Sequence, residues 1–269
     1  MSRNRSLPRA RDTRIRTGST RKQLSQNFLT DTGVAGMLVR SAGIRAEDLV
    51  VEIGPGDGML TRHLLATARQ ILAYEKDGHY VARLRRRYSD EHRIRIHHAD
   101  IRDITPPCRP FVVIANIPFA ATTDIVRWCL AAPQLTAATL LTQREFARKH
   151  TGDYGRWTKL TVTQWPAMTM TLGTLVDRRH FHPMPRVDAA VLRLNRRRQP
   201  LLDPNALRDY HRLVELGFTG VGGSLAASLR RAFPIHQVRK ACATATIALD
   251  EPVGLVSPDR WLTLYRALS

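Results

Sequence analysis

The stretch Leu49-Val50-Val51-Glu52-Ile53-Gly54-Pro55-Gly56-Asp57-Gly58 decides the fold. Four of its first five residues are apolar, and the run is closed by a glycine. That length and closure read as a strand buried on both faces. Glycines follow at alternate positions, and Met59 to Ala68 then carries helical spacing. Strand, glycine turn and helix in that order open a parallel α/β unit. The pattern repeats downstream. Ile71-Leu72-Ala73-Tyr74 reads as a strand ending at Glu75, and His79 to Tyr88 as a helix with Arg83, Arg85, Arg86 and Arg87 on its surface. Ile94 to His98 and Phe111 to Ala115 read as strands ending before Asp100 and at Asn116. Thr123 to Ala131 reads as a helix and Ala137 to Thr142 as a fifth strand. The alternation predicts a mostly parallel, doubly wound α/β sheet.

The pattern changes after Trp157. Leu160 to Thr171 and Ala189 to Leu194 read as two late strands around the proline-stiffened loop Phe181-His182-Pro183-Met184-Pro185. Arg196-Arg197-Arg198-Gln199-Pro200 breaks the chain, and short helices are expected over 204–217, 222–232, 235–246 and 258–267. Residues 1–22 hold eight Lys or Arg against one acid, Asp12, with no apolar periodicity, and read as a basic arm. The expected division is the arm at 1–22, an α/β catalytic domain at 23–195 and a small all-helical domain at 196–269.

The chain has 269 residues and a formal net charge of +19. Folding does not need such a charge; a polyanionic partner does, and nucleic acid is the first expectation. No run reaches the ~18 apolar residues of a membrane span. Cys108, Cys129 and Cys242 show no paired spacing, which fits a reducing cytoplasm and neither a disulfide framework nor a zinc site. His97 and His98 are adjacent on a strand and point to opposite faces, so no metal is expected there.

Glycines after a strand let the backbone turn tightly and approach a ligand. Gly54, Gly56 and Gly58 give G-x-G-x-G rather than the dinucleotide spacing, and the turn alone fits NAD, FAD, a sulfonium cofactor or no ligand. Glu52 shifts the balance. A carboxylate repels a pyrophosphate and favours a cationic sulfonium and amino group, which points to S-adenosylmethionine. Glu75, 21 residues beyond Gly54, is placed to accept both ribose hydroxyl protons. Asp100 is placed for an adenine amine, with Ile101 beside the ring. These strand ends lie together along one edge of a parallel sheet.

Asn116-Ile117-Pro118-Phe119 ends the fourth strand. The exocyclic amine of adenine is a poor nucleophile because its lone pair is delocalised. Methylating it requires acceptors for both amine protons, which the Asn116 side-chain carbonyl and the Ile117 backbone carbonyl supply. Pro118 stiffens the turn, and Phe119 offers a flat surface to a flipped base. The rate gain would come from alignment rather than from a strong base. Phe181 is a candidate second wall for the base, and equally a core aromatic.

In order and spacing, Gln26-Asn27-Phe28-Leu29, Glu52 to Gly58, Glu75, Asp100, Asn116 to Phe119 and Phe181 to Val187 resemble the ribosomal RNA adenine dimethylase superfamily. The resemblance covers about residues 23–195 closely and the tail loosely. It implies a Rossmann-like class I methyltransferase fold with a seven-stranded sheet and a small helical domain. Ile117, the segments Gln143 to Lys149 and Gly152 to Trp157, and the arm leading into Lys22 resemble the Erm branch. That branch implies N6-methylation of the 23S rRNA adenine contacted by macrolides, lincosamides and streptogramin B, and hence resistance. The substrate would be nascent or protein-poor rRNA, met by a cytoplasmic monomer without an obligate protein partner.

The resemblance also places Gln26, Asn27, Leu29, Glu52, the motif glycines, Glu75, Asp100, Ile101 and Asn116 around the cofactor. It places Thr123, Arg127, Arg144, Arg148 and Lys149 on the RNA side. Phe119 stands where many relatives carry Tyr, so stacking survives and any hydroxyl role does not. Gly217 to Gly223 departs from the tail of the housekeeping enzymes. The rival readings are a housekeeping 16S dimethylase, a non-catalytic RNA-binding factor on this fold, and a cytosine methyltransferase using Cys108. The intact acidic and Asn116 motifs oppose the second. The position of Cys108, before the fourth strand and away from the cofactor edge, opposes the third.

Deleting residues 1–22 should weaken rRNA binding and flatten its salt dependence, since every phosphate no longer neutralised by a Lys or Arg lowers the log–log slope by ~0.7–0.9. An unchanged slope in a salt titration would make the arm a bystander.

Overall fold

The computed structural model describes residues 27–269. The basic arm and Gln26 lie outside the described residues. Strands β1 (Phe28–Leu29), β2 (Leu49–Ile53), β3 (Gln70–Glu75), β4 (Ile94–His98), β5 (Phe111–Asn116), β6 (Leu135–Gln143), β7 (Met168–Val176), β8 (Phe181–His182) and β9 (Ala189–Arg196) form two sheets. The large one has seven strands in the order β4-β3-β2-β5-β6-β9-β7. Its first five strands run parallel, and β9 is antiparallel to both β6 and β7. This is the mostly parallel α/β sheet expected from the alternation of elements, in the seven-stranded Rossmann-like form that the resemblance implies.

Every residue of β2 is buried, Glu52 included, because β2 is flanked by β3 and β5 and covered on both faces. The chain runs outward from β2 through β3 to β4, then returns to the other side of β2 as β5. The switch point therefore falls between β2 and β5. Ligands of open α/β sheets bind outside the carboxyl ends of the strands at such a point. Gly54 and Asn116 sit there.

Helices α1 (Thr32–Ser41), α2 (Thr61–Leu64), α3 (Gly78–Arg87), α4 (Thr122–Ala131) and α5 (Arg144–His150) accompany the sheet. One apolar cluster joins Val51, Val113 and Leu140 to Ile125 and Cys129 of α4. A second, from alternate strand positions, joins Val50, Ile71 and Ile114 to Leu38 of α1 and to Leu29 and Phe181. The period of two along buried strands assigns each residue to one cluster or the other.

The structure corrects the strand expected over Leu160–Thr171. Lys159–Gln164 is a helix, α6, and the strand starts at Met168. The β-branched Thr161, Val162 and Thr163 favour a strand by propensity, but Thr158 caps a helix, its hydroxyl accepting from the Thr161 N–H at 3.2 Å. Thr161 in turn donates to the His150 carbonyl at 2.9 Å. Two expected helices are also shorter. Met59–Ala68 keeps α2 alone, flanked by hydrogen-bonded turns. The 222–232 helix becomes α8 (Leu225–Leu229), because Gly222 and Gly223 both take φ of +77°.

The remaining helices, α7 (Pro204–Gly217), α8, α9 (Ile235–Thr244) and α10 (Pro258–Leu268), enclose a third cluster around Tyr210 and Trp261. Helix α6 belongs to this cluster through Val162, whose carbonyl accepts from the Tyr210 hydroxyl at 3.0 Å. Trp165 donates to Asp259 at 2.8 Å, and the Trp157 N–H to the Gly254 carbonyl at 2.7 Å. The helical core thus reaches back across the Arg196–Pro200 break. Among the described residues, no helix is long and apolar enough to cross a membrane.

The helical core is tightly packed at the end of α7. A Cβ on Gly217 would lie 2.3 Å from Trp261 Cη2 and 2.7 Å from Leu225 Cδ1. Gly217→Ala should therefore destabilise by about 1–3 kcal/mol through overpacking. A thermal melt matching wild type would refute this.

Candidate functional site

A cleft opens at the carboxyl ends of β2 to β5. Its lining includes Asn27, Gly54, Gly56, Glu75, Asp100, Ile101, Asn116 and Pro118 from the sequence expectation. A second hollow adjoins it across Gly54 and Asn116, which line both, and holds Leu29, Glu52, Asp57 and Met59. The strand-end motifs thus converge on one continuous site.

The glycine turn is held in place by Glu75, which is 3% exposed. Its two carboxylate oxygens accept from the Gly56 N–H at 3.0 Å and the Asp77 N–H at 2.9 Å. Gly56 takes φ of +53°, and a Cβ there would stand 2.8 Å from the Phe28 ring. Gly54, by contrast, has open space where a Cβ would point. Gly56 lets the turn pack under Phe28, and Gly54 leaves room for a ligand.

The three acids differ in what surrounds them. Asp100 is paired with Arg102, whose guanidinium and N–H reach its carboxylate oxygens at 2.6–3.1 Å. That pairing holds its carboxyl down at about 2, so it stays an acceptor. Glu52 is 1% exposed, and burial drives its carboxyl up to about 8, opposed by the Thr61 hydroxyl donating to Oε2 at 2.8 Å and helped upward by Glu75. Its Oε1 has no partner among the described residues. An unpartnered buried carboxylate oxygen beside a hollow suits a cationic group. Glu75 and Asp100 suit a nucleoside with a diol and an exocyclic amine.

The Asn116 amide nitrogen donates to the Asn27 carbonyl at 3.0 Å. A carbonyl can only accept, so the orientation of the amide is settled by its partner. Oδ1 is left without a partner among the described residues, and so is the Ile117 carbonyl. Ile117 itself is buried, its N–H donating to the Leu141 carbonyl at 3.1 Å. Asn116 lines both spaces and leaves its Oδ1 free there, whereas Ile117 lines neither.

Other expected residues lie elsewhere. Phe119 is half-buried against the second core and does not line the cleft. Phe181 is 3% exposed within that core. Strand β8 pairs with β1, Leu29 opposite Phe181, which places both residues in the second core. Phe181 is thus a core aromatic, not a wall of the cleft. Gly58 backs onto Leu84 of α3 and lines neither space. Of the residues expected on the RNA side, Thr123, Arg127 and Lys149 are exposed. Arg144 is tied to Asp188 at 3.1 Å and Glu145 at 3.3 Å. Arg148 pairs with Asp153 and lies 4.2 Å over the Tyr154 ring.

Sequence reasoning missed Phe28, Tyr74, Lys76, Arg102 and Asp124 in the lining. Tyr74 and Lys76 flank Glu75 and could have been inferred from the strand end. Arg102 and Asp124 could not, because the 3.7 Å contact that brings them together joins separate elements.

Comparison with known proteins agrees with this geometry. The family model for ribosomal RNA adenine dimethylase matches residues 18–269. An rRNA adenine N-6-methyltransferase of Aeromicrobium erythreum is 47% identical over 249 residues, covering 92% of this chain and 73% of the relative. One of Saccharopolyspora erythraea is 44% identical over 248 residues, covering 92% of this chain but only 65% of its own length. The crystal structure of the 23S rRNA methyltransferase ErmE superposes with a TM-score of 0.86 at 44% identity, covering 90% of this chain and 99% of that one.

The buried Glu52 makes stability depend on pH. Its carboxyl ionises near 4.5 in an unfolded chain and near 8 when folded. Between those values the unfolded state binds fewer protons, so stability falls as pH rises through the window. Glu52→Gln keeps an acceptor for Thr61 and removes this loss. Its gain in Tm over wild type should therefore grow from pH 4.5 to pH 8; a gain that does not vary with pH would contradict the assignment.

Proposed function

The chain belongs to the ribosomal RNA adenine dimethylase family, and from that premise we propose that it methylates N6 of one 23S rRNA adenine in the macrolide-binding region, conferring macrolide-lincosamide-streptogramin B resistance. By that membership it is an rRNA adenine N6-methyltransferase, and S-adenosylmethionine is its cofactor. The residues present fit that cofactor. Gly54 leaves the backbone open, Glu75 and Asp100 offer acceptors to ribose and adenine, and the orphaned Oε1 of Glu52 offers an acceptor to a cation. Bound there, the cofactor supplies an electrophilic methyl group on a sulfonium.

The observation that carries the reading is the Asn116 amide. Its nitrogen is held by Asn27, so its Oδ1 is free to accept one proton of an adenine amine, and the Ile117 carbonyl is assigned the other. Accepting both turns the nitrogen lone pair toward the cofactor side of the cleft. The amine becomes acidic as the new C–N bond forms, and its proton passes to water. Pro118, with φ of −56°, stiffens the turn, and the half-exposed Phe119 offers the flipped base a surface outside the cleft. Thr123, Arg127, Arg144, Arg148 and Lys149 are assigned to rRNA phosphate contacts, Thr123 as a hydrogen-bond donor and Arg144 and Arg148 by exchanging their acids for phosphate; such contacts position the substrate without specifying it. The catalytic unit is assigned to 23–195 and the small helical domain to 196–269. The protein would act as a cytoplasmic monomer on protein-poor rRNA, without an obligate partner.

The test is methyl transfer from labelled S-adenosylmethionine to protein-free 23S and 16S rRNA, with the modified base mapped. One macrolide-site adenine in 23S is expected, and transfer to 16S alone would overturn the proposed target. Asn116→Ala should keep rRNA binding and lose turnover by about 100-fold or more, the scale of a misaligned reacting group. Wild-type turnover in that variant would remove Asn116 from the mechanism.

A further inference from the structure

The helical part carries a hollow that methyl transfer does not use. It lies between the glycine turn at Gly222-Gly223 and the face of α9 bearing Ile235 and Arg239. Arg230 and Leu249 also line it, and Asp250 is the one carboxylate in its lining. No residue of the catalytic cleft takes part. The cavity is about 550 Å³, inside the ~300–1,000 Å³ range of small-ligand pockets.

The side chains of this hollow suit an anion, and the backbone leaves room for one. A Cβ on Gly222 would stand 2.6 Å from the Ala227 Cβ, so the turn lies close against α8. A Cβ on Gly223 would meet nothing within 4 Å, so the backbone there is open to a ligand. The Gly223 N–H donates to the Gly220 carbonyl at 3.4 Å, so it is the side chains that would hold an anion. The ion pairs of the helical part, among the described residues, are Lys159–Glu215, Arg212–Asp209 and Arg260–Glu251. Arg230 and Arg239 make none among the described residues, although Asp250 shares their hollow. Ile235 and Arg239 are four residues apart and share one helix face, so an apolar surface and a guanidinium stand side by side. Ile235 is 40% exposed and Leu249 46%. Exposed aliphatic groups beside unpaired guanidinium groups suit a phosphate that carries a sugar and base better than a free ion.

We propose that this hollow is a second rRNA-binding site, holding a phosphodiester away from the target adenine with Arg230 and Arg239 on the phosphate and Ile235 and Leu249 against its sugar or base. The proposal rests on the reading that the substrate is rRNA. A net charge of +19 leaves the chain as a whole attractive to RNA, and the hollow would turn part of that attraction into a located contact. It would set substrate affinity and leave the chemical step alone.

The test uses the full chain and whichever rRNA the wild type methylates, so an error in the 23S assignment shows in the wild type and an error about the hollow only in the variants. Arg230→Ala/Arg239→Ala is compared with Arg208→Ala/Arg212→Ala, an equal loss of charge on the exposed surface of α7. The first pair should raise KM for rRNA, leave kcat unchanged and lower the slope of log affinity against log salt by ~1.4–1.8, since each of the two guanidinium groups accounts for ~0.7–0.9. The second pair should leave KM and slope near wild type. Unchanged binding in the first pair would overturn the proposal. So would an equal change in both pairs, which net charge alone would produce, or a fall in kcat, which would tie the hollow to catalysis.

Discussion

The burial of β2 between two parallel neighbours is the constraint on which the rest of the molecule depends. A strand covered on both faces and hydrogen-bonded on both edges has nowhere to end except a turn at its carboxyl terminus. There the chain needs a residue that tolerates positive φ and a backbone open enough to meet a ligand. Gly54 and Gly56 meet those needs, and Glu75 from the adjacent strand fixes the turn by accepting the Gly56 N–H. The return of the chain to the other side of β2 then brings Asn116 beside Gly54. The open cleft and the free oxygen of Asn116 beside it are thus two consequences of one strand order.

Electrostatics divides the acids of the site by environment rather than by type. Asp100 is held ionised by a guanidinium, and the two oxygens of Glu75 accept from backbone N–H groups. Glu52 is buried with one hydroxyl partner and one orphaned oxygen, and burial opposes its charge. The cost of that burial is tolerable if the site is built for a cationic ligand, which would stabilise the ionised form. The same logic separates the basic residues. Arg144 and Arg148 are occupied by nearby acids, whereas Arg230 and Arg239 have no such partner among the described residues.

The helical tail is tied to the α/β part by more than the stretch that joins them. Helix α6 lies before the last two strands of the large sheet but packs its Val162 into the helical core, and Trp157 and Trp165 do the same. Tyr210 hydrogen-bonds across this seam in the interior, where removing the partner would leave a buried polar group unsatisfied. The position of the helical part relative to the sheet is therefore set by buried contacts, which is what binding a second segment of substrate would require.

The elements around β2 are legible in the chain, because buried parallel strands are short, apolar and closed by glycine or a polar end. The same holds for the strand-end acids and for Asn116, whose positions follow once the strands are parallel. The stretch 160–171 misleads because its β-branched residues speak for a strand locally, while a cap from Thr158 and a partner 48 residues away at Tyr210 decide for a helix. Phe181 is open in the sequence between a wall of the site and the core, and only the pairing of β8 with β1 places it in the core. The hollow in the tail has no motif, since it is made by a turn, a helix face and a loop distant in sequence. By itself, then, the sequence determined the sheet, the motif positions and the chemistry they suit, because those depend on periodicity and chain order. Which side chains meet, which are paired and which are left free was decided by tertiary packing, because contact between separate elements has no local signature.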